Sequence, residues 1–552
     1  MLLSHEMIVI VEVDIVSLME NNTCLLNSLV NKLYRGQRTW HVHTKGYPGT
    51  WEVTMPLSMD STENRGNEDY GISIVKSECR HSIVDNGELY LKDPQERRLA
   101  LVTQNQSEDK MKGTSIPENV STRFDRIAKL AREGRSMVFT TLAHHIDIEL
   151  LKLAYIQTNK SGAVGIDGQT AKTYAENLEN NLQDLLNRFK SGLYKAPPVR
   201  RVYIPKPDGN KRPIGIPTFE DKILQRAVTM VLSVVYENDF LDCLYGFRPK
   251  RSAHQALEAL WSSLMKYKNA YVVEIDIKDF FGSLKYPVLR SSLDQRVRDG
   301  VIRRTIDKWL KAGVIEEGQI KRQETGTPQG GVISPLLANI YLHEVLDQWF
   351  ENEVKPRLKG KATLIRYADD AVLVFDQEID AKRVMDVLPK RFGKYGLTLH
   401  PIKTKLINFN KPKSGDGTKP KIDLDKRTFD FLGFTHYWGK SRKGNDIVQR
   451  KTAKDRFKRA LQALSEWCRI HRHDQIEEQW KAISRKIQGH YAYYGITFNM
   501  RSLAHFAFQA HNIWFKWLNR RSQRGEHNWQ WFNQLLTIYP LPPPKIVHSY
   551  LA

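Results

Sequence analysis

Two apolar, β-branched runs constrain this chain more than any other feature: YVVEIDI at 271–277 and LIRYADDAVLVF at 364–375. Runs of this composition form short buried strands. The first places Asp276 close to its end, and the second reads as two strands flanking a turn that holds Asp369 and Asp370. Two adjacent aspartates are costly to bring near a third carboxylate unless cations neutralise them, and hard oxygen ligands suit Mg2+. A catalytic two-magnesium site is therefore expected. With two ions about 4 Å apart, one activates a 3′-hydroxyl and the other stabilises a leaving pyrophosphate in an in-line displacement. Either motif alone would read as an ordinary hairpin turn or a surface aspartate; the expectation rests on their occurring together.

The partner is expected to be a polyanion. Lys plus Arg number 84 against 62 Asp plus Glu, a surplus of 22 in 552 residues, which favours nucleic acid over an anionic membrane surface. The surplus is unevenly spread: residues 1–120 hold 12 basic and 17 acidic side chains. That first stretch shows no sustained period of 2 or 3.6, so it is read as an N-terminal extension without assigned function and without a well-ordered domain. Four scattered cysteines give neither a disulfide framework nor a CxxC zinc pair. The apolar segment MIVIVEVDIV at 7–16 is broken by Glu12 and Asp14 and has no basic region before it, so neither a secretory signal nor a membrane span is expected. The chain reads as intracellular, of bacterial cytoplasm or an organelle matrix, and not secreted.

From 121 the pattern becomes helical, with Phe124, Ile127, Leu130 and Ala131 at helical spacing and a second helix expected over 138–156. A helical run at 172–191 meets KAPPVRRVYIPKPDGNKRPIGIP at 195–217, which reads as a basic hairpin closed by a Pro-Asp-Gly turn. Residues 441–552 contain 19 basic against 7 acidic side chains and half of the 12 tryptophans, a mixture suited to phosphate neutralisation and base stacking. Within it, DRFKRALQALSEW at 455–467 has apolar residues at helical spacing, with Arg456, Lys458 and Arg459 expected on the outer, RNA-binding face.

YADD at 367–370 resembles the active-site box of reverse transcriptases, and EIDIKDFFGSL at 274–284 resembles the strand that supplies their first catalytic aspartate. Between them, GTPQGGVISPLLANIYL at 326–342 is similar to the segment lining the nucleotide pocket in group II intron reverse transcriptases. RPIGIPTFEDKILQRAV at 212–228, YGFRPKRSAHQAL at 245–257, GLTLHPIKTKLINF at 396–409 and FDFLGF at 429–434 follow that family's order, and SRKIQGHYAYYGITFN at 484–499 and WFKWLNRRS at 514–522 resemble its thumb, or maturase, domain. The resemblance covers roughly 120–552.

It implies an α/β right-hand polymerase: fingers and palm over 121–440, the palm an antiparallel sheet with helices, then an α-helical thumb over 441–552. It implies metal binding by Asp276, Asp369 and Asp370 with the backbone carbonyl of Ile277. Phe281 would exclude a ribonucleotide 2′-hydroxyl, Gln329 and Gly330 would lie beside the incoming nucleotide, and Lys206 (or the nearby Lys211) and Arg212 would clamp its triphosphate. Lys403 would assist pyrophosphate departure. His490 and Tyr494 carry no evident chemistry and are read as structural or RNA-contacting. One departure is visible: many relatives have Gly after the Lys of IDIK and Asp after the two Phe, where this chain has Asp279 and Gly282.

The function implied is RNA-directed DNA synthesis coupled to splicing of a group II intron and its retrohoming. The partners implied are intron RNA, a DNA primer, target DNA and dNTPs. The alternatives are a reverse transcriptase of another retroelement or one adopted by its host, and, from a different class, a non-catalytic RNA-binding splicing cofactor. Beyond residue 522 only His527 and His548 are present and no cysteine, so no endonuclease of the HNH type is expected. Mobility would then use a primer supplied by the host.

Overall fold

The computed structural model describes residues 118–550, apart from 206–210, 317–318, 322–325, 327–329, 413–426 and 523–526, together with three strands before residue 77. It divides into two units, 1–90 and 91–552. In the first, β1 (Thr39–His43), β2 (Thr50–Thr54) and β3 (Ser73–Lys76) form an antiparallel sheet, with Thr39 opposite Thr54 and Trp51 opposite Lys76. This sheet was not expected. Strands of four and five residues separated by turn-rich segments are too short to display a period of two.

The second unit opens with α1 (Glu118–Glu133), so helix begins three residues before the expected 121. The helix expected over 138–156 is shorter, α2 (Ile148–Gln157). The Asp147 side chain caps it by accepting the Leu150 N–H at 3.0 Å. The segment ahead of it is held another way: Phe139 bridges to Val297, and the Leu142 and Ala143 N–H groups donate to Asp299. The run at 172–191 forms α3 (Ala171–Ala175) and α4 (Leu178–Ser191). The expected hairpin is β4 (Val199–Pro205) with β5 (Lys211–Ile216), Arg200 opposite Ile216. Then come α5 (Phe219–Tyr236), α6 (Ala253–Lys266), β6 (Tyr271–Ile275), α7 (Phe280–Ser283), α8 (Tyr286–Asp294) and α9 (Gly300–Lys311). Two short strands, β7 (Val314–Glu316) and β8 (Gln319–Lys321), extend the hairpin into a sheet of order β5-β4-β7-β8.

Helix α10 (Ser334–Leu342) passes directly into a π-helix over His343–Val354. Strands β9 (Ala362–Tyr367) and β10 (Asp370–Phe375), helix α11 (Glu378–Lys394) and β11 (Lys405–Asn408) complete an antiparallel palm sheet of order β11-β6-β10-β9. Both faces of this sheet are buried, which is why its strands are nearly continuous in apolar residues. Val273, Ile275, Leu373 and Phe375 join one core with the helices up to α11. Val272, Val372, Val374 and Ile407 join the other, with α6 and the C-terminal helices.

A third sheet, β12 (Phe429–Phe431), β13 (Phe434–Lys440) and β14 (Asp446–Thr452), leads into α12 (Lys454–Ile470), α13 (Ile476–Tyr494), α14 (Met500–Leu518) and α15 (Trp529–Ile538). The division expected at 440/441 falls in the turn between β13 and β14, which pair over seven residues each; the helical part begins at Lys454. After α15 the chain returns across the helices. The Val547 and His548 N–H groups donate to the Gly495 carbonyl at 2.7 and 2.8 Å, and the Tyr550 hydroxyl donates to the His254 carbonyl on α6 at 2.8 Å. Among the described residues no helix is long and apolar enough to cross a membrane.

Candidate active site

The antiparallel register of β6 and β10 sets Ala371 opposite Ile275, so one further step brings Asp370 opposite Asp276 at the strand ends. Strand alternation puts Glu274, Asp276 and Asp370 on the face shared with Val272, Val372 and Val374, the face covered by the C-terminal helices. There they line a cleft of about 660 Å³ together with Lys403, Lys405, Phe431, Leu432 and Arg456. Asp276 is held by its main chain: the His400 N–H donates to its carbonyl at 2.7 Å, and the Thr404 hydroxyl lies 3.2 Å from both its N and its O. Lys403 Nζ stands 3.4 Å from the Asp276 carboxylate.

Tyr367 pairs with Asp370, leaving Ala368 and Asp369 as a two-residue turn. Ala368 has φ 58°, a left-handed conformation that is unfavourable for a residue with a Cβ. The surroundings impose it. Arg366, fully buried, donates from Nη1 to the Ala368 carbonyl at 2.9 Å and to Asn339 Oδ1 at 3.1 Å, and grips Asp347 with a two-pronged pair, 2.6 Å from Nε. Burial works against the charge on Asp347, yet Arg366 holds its carboxyl below the usual carboxylate range. Asn339 in turn donates to the Gly246 carbonyl at 2.8 Å, and a Cβ on Gly246 would lie 2.4 Å from the Ala368 nitrogen. Only glycine lets the backbone approach this turn so closely. This network was missed from sequence. An arginine inside an apolar strand, LIRYA, was its one signal, because a buried guanidinium requires a carboxylate partner.

Glu274 was missed as well. Its carboxylate is 3.1 Å from Lys405 Nζ and accepts the Asp430 N–H at 3.1 Å, tying β12 to the palm sheet; burial pushes its pKa up, against the pull of Lys405.

Gly326 approaches α7 and Gly330 approaches β5. Gly326 (φ 90°) lies so close to the Phe281 carbonyl that a Cβ would be 2.9 Å from it, and Gly330 (φ 125°) would place a Cβ 2.5 Å from the Gly215 carbonyl of β5. Phe281 thus lies against Gly326, and Gly330 lies against β5, where Arg212 is three residues from Gly215. Phe281 is half-buried and meets Phe280 edge-on at 5.2 Å. Lys206 and Gln329 lie outside the described residues. Lys211 is exposed at the start of β5. Ile277 is buried and bridges to Leu399. The Asp279/Gly282 departure has a local reason: Asp279 adopts φ 43°, and a Cβ on residue 282 would collide with its carboxylate at 2.2 Å.

On α12 the expected outer face is rotated. Arg456 is mostly covered and lines the cleft, Arg459 pairs with Asp455 at 2.8 Å, and of the three only Lys458 is fully exposed. The apolar groups of α12 pack on α13 and α14, and that packing sets the helix's rotation. His490 is buried, stacked on Phe506 at 3.8 Å, with its pKa pushed down to about 3 by burial; it and the buried Tyr494 are structural. Trp514 is core, and of the six tryptophans after 440 only Trp529 is largely exposed.

Residues 204–436 match the family described as reverse transcriptase (RNA-dependent DNA polymerase). The group II intron-encoded protein LtrA of Lactococcus lactis is 38% identical over 227 residues, 40% of this chain and 37% of LtrA. Protein YkfC of Escherichia coli K12 is 35% identical over 257 residues, 41% of this chain and 67% of YkfC. The chain belongs to the group II intron-encoded reverse transcriptases. Nuclear intron maturase 2, mitochondrial, of Arabidopsis thaliana is 28% identical over 177 residues. The match spans little more than a third of LtrA's length.

The mixed helices and antiparallel sheets are those of a reverse transcriptase palm and fingers with helical parts. Reverse transcriptases generally use Mg2+. Among the described residues no three His, Cys, Asp or Glu side chains converge as a ready-made cage, but the donors at the strand ends are carboxylates alone, in an open cleft, which fits a hard divalent cation.

Proposed function

We propose that this reverse transcriptase family member is an active RNA-directed DNA polymerase that also grips intron RNA to assist its splicing and retrohoming. The observation that carries this reading is the register placing Asp370 opposite Asp276 on the floor of a cleft edged by Lys403 and Arg456. Asp276, Asp369 and Asp370, with the Ile277 carbonyl, would hold two Mg2+ ions; when bound, these supply activation of the primer 3′-hydroxyl and neutralise the leaving pyrophosphate. The residues themselves do the rest. Lys403 compensates the carboxylates and lies where a cation can meet the departing pyrophosphate. Arg212 with Lys206 or Lys211 clamps the triphosphate, Gln329 and Gly330 flank the nucleotide, and Phe281 closes the space a 2′-hydroxyl would need. Residues 121–440 serve as fingers and palm, and the helices after Thr452 as the thumb, with Arg456 turned to the primer–template and Lys458 to RNA outside it.

Primer extension on an RNA template tests the reading. Wild-type protein should extend a DNA primer with dNTPs and Mg2+, and Asp370→Asn should not. A wild-type protein that binds intron RNA tightly without extending any primer would leave the splicing cofactor as the better account.

A further inference from the structure

We propose that the end of the palm sheet remote from the aspartates is a second docking surface, one that takes the phosphodiester backbone of a nucleic-acid duplex. Ala362, Phe375, Tyr271 and Asn408 form the last paired row at this end. It lies five residues along β6 from Asp276, roughly 17 Å at about 3.4 Å per residue. Two segments bring cations there. Lys266 and Lys268 lead into β6, and Lys355, Arg357, Lys359 and Lys361 lead into β9; all six are exposed. The segments are tied together: the Tyr267 hydroxyl is 2.5 Å from the Thr363 hydroxyl of β9, and Lys355 acts electrostatically on the Tyr267 phenol.

Six cations at this end face four acids, Glu351, Glu353, Asp376 and Asp380, so the surface keeps a positive surplus. Asp380, buried, accepts the Lys359 and Gly360 N–H groups, each at 2.9 Å. The Asp376 carboxylate lies where a Cβ on Gly360 would stand. Asp380 thus pins the loop's main chain from inside, and Lys359 and Lys361 on either side of Gly360 are exposed. Lys355 pairs with Glu351 at 2.6 Å, but the other five form no ion pair with any described carboxylate. Such an arrangement lowers the entropy lost when the loop meets an anion, because the backbone is already fixed.

The occupant follows from what accompanies the charge. Tyr267 and Tyr271, the rings at this end, are half-buried, so no aromatic platform is offered to unstacked bases. Single strands are gripped by stacking as well as charge, whereas a duplex presents phosphates alone. The choice of nucleic acid among polyanions rests on the function proposed above.

The test uses the full chain and blunt, 3′-blocked 30-base-pair duplexes of RNA and of DNA. Replacing Lys266, Lys268, Lys359 and Lys361 together by Gln should weaken duplex binding at least about tenfold at moderate salt. It should also lower the slope of log affinity against log salt by about 2.8 to 3.6, since each lost phosphate contact removes roughly 0.7 to 0.9. Extension of a short primer–template should stay within about twofold of wild type, and the fourfold Lys→Arg variant should keep the slope. The duplex that loses more affinity identifies the natural source as RNA or DNA. An unchanged slope with both duplexes overturns the proposal, as does a parallel fall in primer extension, which would assign these lysines to the catalytic cleft. Binding needs no dNTP, so a wild-type protein unable to extend primers would strike the polymerase reading and leave this test readable.

Discussion

Arg366 and Lys458 are both cations, and their surroundings could hardly differ more. Arg366 is fully buried, bound to Asp347, Asn339 and the Ala368 carbonyl, and its charge is spent inside the palm. Lys458 stands in solvent on a thumb helix whose neighbouring arginines are turned to the cleft or paired. The palm uses charge to hold one backbone turn in a strained shape; on α12 the Lys458 charge is left exposed. Rigidity is expected of the first region and salt-sensitive affinity of the second.

If that division holds, the largest effect should come from the turn itself. Asp370→Asn should cut primer extension by at least about 10³-fold while leaving RNA affinity within about threefold, measured by single-turnover extension and filter binding on the same preparation. A parallel loss of both would merge the two regions into one function. Next in size, Arg366→Gln strands the Asp347 charge in the core and should cost about 3 to 5 kcal/mol in chemical denaturation. Pairing it with Asp347→Leu should recover most of that stability but not the activity, because the Ala368 carbonyl remains unheld.

Phe281→Ala should relax discrimination against ribonucleotides about tenfold, read as the ratio of kcat/KM for a dNTP and its rNTP. Unaltered selectivity in an active variant would make Phe281 purely a packing residue. In the thumb, Lys458→Gln should lower the salt slope of RNA binding by about 0.7 to 0.9, whereas Arg456→Gln should reduce extension more than it changes that slope. Equal slope changes would mean that the helix face is not rotated as described.

The last effect concerns pH. His490 is neutral in the fold, with a pKa near 3 against an ordinary 6.5, so the unfolded chain binds the extra proton and stability falls as pH drops from about 6.5 toward 3. The slope approaches about 1.4 kcal/mol per pH unit for one such group. His490→Phe should remove that share of the acid sensitivity in melting curves taken between pH 6 and 4, the rest coming from other buried histidines such as His254.

The legible parts were those that local periodicity decides. A strand offers a side chain only two directions, so once YVVEIDI and LIRYADDAVLVF are strands, the shared face of Asp276 and Asp370 follows from register. A helix offers a continuous rotation fixed by distant partners, which is why α12 was expected and the placing of Arg456 was not. The Arg366–Asp347 pair joins residues 19 apart through a π-helix, and the contact of Gly330 with Gly215 spans more than a hundred residues. Neither leaves a pattern in any short window. Asp147 ends the false extension of α2 by capping, a signal present in the sequence but overridden by the apolar run before it.

The hydrogen bond from Tyr550 to the His254 carbonyl joins residues 296 apart. During translation at roughly 5 to 20 residues per second, α6 therefore waits on the order of fifteen seconds to a minute before its last tether emerges. Until then the palm sheet can be folded while α6 lacks this bond to the segment after α15. A newborn chain thus passes through a stage in which α6 is folded but lacks this long-range partner, and the bond can form only late in synthesis.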